Sequence, residues 1–134
     1  MTTGEKERTR TEAVTRFLDA IERGEGIPSG IFAADAVLDG TVPDWRMTIR
    51  GEAAIRAQFS GWYDAPGRFV EVERLPVPDG EFVRFGLEST DSDGTYKIHQ
   101  AHLFHVVDGE IATARVWCGG RWHAERLAEI AAAG

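Results

Sequence analysis

TYKIHQAHLFHVV, residues 95–107, passes through Asp108-Gly109 into EIATARVWC, residues 110–118. Both runs alternate β-favouring residues, and an Asp-Gly pair supplies the positive backbone angles that a tight hairpin turn needs. The two runs therefore form a β-hairpin. Strand side chains alternate between faces, so Tyr96, Ile98, Gln100, His102 and Phe104 share one side while Lys97, His99, Ala101, Leu103 and His105 share the other. The first set is the better pocket wall, being apolar and aromatic with two neighbouring polar groups, Gln100 and His102, to orient a ligand.

Upstream of the hairpin, helical and strand-like segments follow one another. Residues 1–7 are polar and read as a loose tail. From about Arg8 the residues Ala13, Val14, Phe17, Leu18 and Ile21 fall on one helical stripe that Gly24 ends. Residues 28–32 are expected to add a short helical turn, with Ile31 and Phe32 entering the core. AVLDGTV, residues 36–42, reads as a strand carrying Asp39, followed by a turn at 43–45 and a short strand at 46–50. Ile55, Phe59 and Trp62 stand at i, i+4 and i+7, giving a second helix over 52–63 that Ala65-Pro66-Gly67 breaks. Strands over 68–77 and 81–90 meet at Pro78-Asp79-Gly80, and Val83, Phe85 and Leu87 share one face. Beyond Gly119-Gly120 the tail regains helical character, with His123, Leu127, Ile130 and Ala131 on one side. Helices first and long antiparallel strands later define an α+β domain. Its expected form is a cone-shaped, curved, mixed or antiparallel sheet with three to four helices enclosing a pocket.

The 134 residues suit a single domain, 1–134, able to bury a core without disulfides or metal. A formal charge of −7 with no basic patch argues against nucleic acid or an anionic membrane as partner. No apolar run reaches the length of a membrane span. The single cysteine, Cys118, and the absence of a basic-then-apolar leader in MTTGEKERTRTEA point to a reducing cytoplasm.

The phrases AIERGEG, IFAADAVLDG, RGEAAIRAQF and HLFHVVDGEIATARVW, in this order, resemble the nuclear transport factor 2-like superfamily, in particular its SnoaL-like branch of polyketide cyclases. The resemblance covers about residues 12–118 and implies the cystatin-like cone fold, a ligand pocket and cofactor-independent chemistry. It also implies a homodimer joined through the convex sheet face, where Leu103, Val107 and Trp117 lie. In such cyclases the penultimate strand carries a Gln-x-His pair, matched by Gln100 and His102, while the acid/base aspartate of the last strand falls at Val116. Against the ketosteroid isomerases of the same group, the general-base aspartate falls at Asp39-Gly40, the oxyanion-binding tyrosine near Phe17 and the protonated aspartate near His102. The Asp-Arg-Asp set of related epoxide hydrolases is not supplied by Arg115 and Val116.

His102 is the first candidate catalytic group, since imidazole titrates near neutrality. Asp39 becomes a proton acceptor if the cavity desolvates it, and is a solvated partner of Arg46 if it faces outward. Gln100 can bond a ligand carbonyl or steady the imidazole. The expected pocket wall is Phe17, Trp45, Phe59, Trp62, Tyr63, Tyr96, Ile98, Phe104 and Val116, suited to a small apolar or polycyclic ligand. His99, His102 and His105 do not form a metal site, because a spacing of three puts His102 on the face opposite the other two. Two functions stand as expectations: a cyclase-, isomerase- or lyase-type enzyme acting on an apolar carbonyl compound without cofactor, or a non-catalytic module of the same fold that binds an apolar ligand or dimerises. Asp39 and His102 facing one enclosed cavity would favour the enzyme, and Asp39 in water the module.

Overall fold

The structure, a computed structural model, describes residues 3–134. Helix α1 (Thr3–Arg23) is followed by strands β1 (Phe32–Val42) and β2 (Trp45–Arg50), then helix α2 (Glu52–Trp62). Strands β3 (Arg68–Val77), β4 (Gly80–Asp91), β5 (Gly94–Val107) and β6 (Glu110–His123) come next, and helix α3 (Ala124–Ala133) closes the chain. The six strands form one sheet in the order β2-β1-β6-β5-β4-β3, with β1 and β6 parallel and the other neighbours antiparallel. The sheet is therefore mixed, and α1 and α2 pack on one face of it. Helix α1 starts earlier than the pattern suggested, at Thr3, through the helix-favouring run Glu5 to Arg8. The expected loose tail at positions 1 and 2 lies outside the described residues. Residues 28–31 form a turn, not a helical segment, yet Ile31 and Phe32 are buried as expected.

The hairpin at Asp108-Gly109 forms with both residues at positive φ, 52° and 81°. Strand β6 does not stop at Cys118. Ile98 pairs with Arg121 and Gln100 with Cys118, so Gly119 and Gly120 together oppose His99 in a β-bulge, with Gly120 at a φ of 94°. The extra residue reverses the parity of the rest of the strand. Paired regularly, the same residues would put Arg121 on the outer side with Trp117; bulged, they put Arg121 on the inner side with Ile98.

The inner face of the sheet carries aligned rows. Val83, His102, Val116, Gly40 and Met47 form one, and Phe85, Gln100 and Cys118 form the next. Over the first row sits an aromatic cluster with Phe17 of α1 at its centre, 4.9 Å from Phe59, 5.4 Å from Phe104 and 5.8 Å from Phe32 between ring centroids, all edge-on. Edge-on pairs bring the positive ring edge to the negative face and add about 0.5–1.5 kcal/mol each beyond area burial. A polar clamp holds α1 to the edge of the sheet, with Arg74 paired to the buried Glu81 and donating to Thr15 Oγ1 (2.9 Å) and the Thr11 carbonyl (3.2 Å).

The end of α1 locks into the segment after α2. Gly24 sits at a φ of 65°, and a Cβ there would lie 2.1 Å from the carbonyl carbon of Ala65. Glu22 accepts the N–H of Gly67 on its backbone carbonyl (2.8 Å) and that of Phe69 on its side chain (3.0 Å). Gly24→Ala is expected to lose about 2–4 kcal/mol of stability, from backbone strain and a clash with main chain that cannot rotate away. A denaturant titration followed by far-UV circular dichroism reads this directly.

Candidate functional site

His102 and Gln100 face inward together, as strand parity requires. The imidazole is wholly buried among Phe85 (5.2 Å between centroids), Phe104 (5.4 Å), Phe17 (5.7 Å) and Phe59 (6.2 Å). Burial away from water disfavours its charged form and lowers its pKa to about 3, so it is neutral at physiological pH. Its Nε2 lies 2.9 Å from Gln100 Oε1. The same oxygen accepts the hydroxyl of Tyr63, the residue that follows α2. Burial first, and the neighbouring Cys118 second, push the phenol well above its ordinary pKa, so it too stays neutral. Tyr63, Gln100 and His102 thus make one uncharged chain of hydrogen bonds. Among the described residues, the single enclosed side-chain polar atom without a partner is Nδ1 of His102.

A cavity of about 170 Å³ opens beside this chain, lined by Val42, Pro43, Trp62, Tyr63, Ile98, Gln100, Cys118, Gly120 and Arg121. Volumes near 150 Å³ admit a benzene ring. Its mouth is held by Arg121, which donates to Asp91 (2.9 Å) and the Trp62 carbonyl (3.2 Å) and lies 4.4 Å over the Tyr96 ring. The carboxyl of Asp91 falls to a pKa of about 2, chiefly through its hydrogen bond from His123 and with help from Arg121. Asp91, Asp93 and His123 bring ligand atoms within 4.8 Å of one another, but the guanidinium occupies this carboxylate. A second, more open groove of about 500 Å³ runs along Arg23, Ile27, Arg56 and Ser60, where the Ile27 N–H donates to Ser60 Oγ and Arg56 to the Ile27 carbonyl.

Several expectations are corrected here. Asp39 does not join His102. Its neighbours Leu38 and Gly40 take the inner positions of β1, so its carboxylate faces outward and pairs with Arg46 at 3.2 Å. Of the expected pocket wall, Trp62, Tyr63 and Ile98 line the cavity. Phe17, Phe59, Phe104 and Val116 are core instead, because the phenyl rings fill the hollow beneath α1. Tyr96 is buried behind Arg121, and Trp45 is 68% exposed at the start of β2. The cavity consequently lies at the end of α2 and not under α1. The pattern missed Val42, Pro43, Cys118, Gly120 and Arg121. A signal for the last three was present, since paired glycines within a strand pattern mark a bulge.

The mixed sheet with helices packed on one face thus leaves an apolar cavity at one end. The family described as SnoaL-like domain matches residues 14–114, and the chain belongs to it. Among solved structures, it is similar to an NTF2-like protein of unknown function from Mesorhizobium loti, at 24% identity over 84% of this chain and 93% of that one, with a TM-score of 0.67. An NTF2-like protein from Anabaena variabilis is 14% identical over 90% and 95%, at a TM-score of 0.74. SalBIII, an epoxide hydrolase/cyclase-like enzyme with a role in pyran ring formation in the polyether salinomycin, is 21% identical over 87% and 98%, at 0.62. None of the curated proteins matches the chain.

The buried neutral imidazole has a consequence for stability. Below pH 6.5 the unfolded chain binds a proton on this histidine while the folded chain does not until about pH 3, so stability falls as the pH drops through that window. Between about pH 6.5 and 4.5 the loss from this group alone is expected to be about 2–3 kcal/mol. Parallel denaturant titrations of wild type and His102→Leu test this: the variant should lose that much less over the same interval.

Proposed function

We propose that the chain binds a small, largely apolar carbonyl compound in the cavity beside Gln100, by shape and uncharged hydrogen bonding and without a cofactor. The observation that carries this reading is an apolar recess with a buried amide on its wall. Val42, Pro43, Trp62 and Ile98 supply contact area, and Gln100 supplies orientation. Asp39 lies outside the recess, and His102 has too low a proton affinity to withdraw a proton near neutrality. The binding reading therefore leads.

A second reading, an acid/base enzyme of cyclase, isomerase or lyase type, is favoured by one observation. His102 Nδ1, on a side chain two residues from Gln100, is an enclosed ring nitrogen without a hydrogen-bond partner. The cyclase-like relative named above has the same fold and lends that reading analogy alone.

The partner surface belongs to the same proposal. Val107 and Trp117, 56% and 44% exposed, stand on the outer face near the half-buried Leu103. We read this apolar strip as the contact of a symmetric homodimer in a reducing cytoplasm.

Two measurements test these statements. Native mass spectrometry of the purified protein is expected to find a small bound compound; Cys118→Phe, which fills the recess, should release it, and Asp39→Asn should not. Sedimentation should give a dimer for wild type and a monomer for Trp117→Arg.

A further inference from the structure

From the hydrogen-bond inventory of Gln100 we infer that the cavity prefers ligands that present a hydrogen-bond acceptor, and that Tyr63 is the positioning residue that sets this polarity. The inference rests on the proposed binding site and deepens it. Gln100 Oε1 has two neighbours, the Tyr63 hydroxyl and His102 Nε2. With the oxygen there, both neighbours donate to it, the imidazole is the Nε2–H tautomer, and one bare lone pair on Nδ1 is left over. With the amide turned round, its nitrogen would donate to both. The Tyr63 hydroxyl hydrogen and a proton on His102 Nδ1 would then be two buried donors without acceptors. An unpaired buried donor costs more than an under-used acceptor, so the first arrangement is favoured.

The role of the amide nitrogen comes out of this. Among the described residues neither hydrogen of Gln100 Nε2 meets an acceptor, yet the atom is not among the enclosed, unpartnered ones and Gln100 lines the cavity. The amide N–H is therefore available to an occupant. The other polar side chains of the wall offer a ligand donor little, the Tyr63 oxygen being the one side-chain acceptor left open. Cys118 Sγ already accepts the N–H of Gly120 (3.3 Å), and Arg121 is a donor throughout. The matching ligand class is a compact apolar molecule with a carbonyl oxygen, ether oxygen or unprotonated ring nitrogen.

Three probes of similar size separate the outcomes: acetophenone, an acceptor; α-methylstyrene, its hydrocarbon counterpart; and indole, a donor. Binding is followed by the side-chain N–H signals of Gln100 and Trp62 in nitrogen-15 NMR. Acetophenone should bind about tenfold more tightly than either of the others, the worth of one uncharged hydrogen bond. In Tyr63→Phe the amide loses one of its two anchors, so this preference should shrink at least about threefold while α-methylstyrene affinity holds. A merely structural role for the hydroxyl would move all three affinities together. Long-range nitrogen-15 spectra should find His102 as the Nε2–H tautomer. Equal affinity for all three probes, or the Nδ1–H tautomer, overturns the inference while the cavity remains a binding site; no binding by any probe overturns both.

Discussion

The crowding of phenyl rings around one imidazole decides most of what this molecule is. Phe17, Phe32, Phe59, Phe85 and Phe104 fill the concave face of the sheet between α1 and the row that holds His102. That packing joins both first helices to the sheet, supplies a large share of the apolar area buried, and removes the histidine from water. It also decides where empty space can remain. A hollow filled under α1 leaves its vacancy only at the far end, where α2 stops and Trp62 and Tyr63 lean over Gln100. Site and core are thus two ends of one inner face, distinguished by how far the phenyl rings reach.

The polar chain across that boundary is economical in charge. A phenol and an imidazole each held neutral by burial share one amide oxygen, so no ion is placed in a low-dielectric setting where it would need a counter-charge. Val116, pairing with His102 across the ladder, keeps the neighbouring inner position apolar as well. The charged groups of the chain lie elsewhere: Asp39 with Arg46 on the outside, Asp91 with Arg121 and His123 at the rim.

Much of the fold could be read from the residues in order. Alternation in β5 gave the inward set, and the Asp-Gly turn, the stripe from Ala13 to Ile21 and the pairing of β3 with β4 were all local patterns with one physical reading. The candidate site was less accessible, for three different reasons. AVLDGTV puts either Asp39 or its neighbours inward with equal local logic, and only Leu38 seated against the core resolves it. The depth of the cavity depends on summed ring volumes from five elements, which no window of sequence contains. Tyr63 could be read as pocket wall, but its bond to Gln100, 37 residues further on, is a tertiary contact that periodicity does not carry.

The bulge at Gly119-Gly120 makes the rim of the cavity depend on strand register as well as on composition. Excising one glycine would restore simple alternation and leave Arg121 opposite Ile98, whereas regular pairing with both glycines kept would turn Arg121 to the convex surface and Trp122 to the opening, with no substitution at either position. Whether a cationic or an aromatic gatepost stands at the rim is thus decided by one irregularity in the ladder, which leaves every buried ring where it stands.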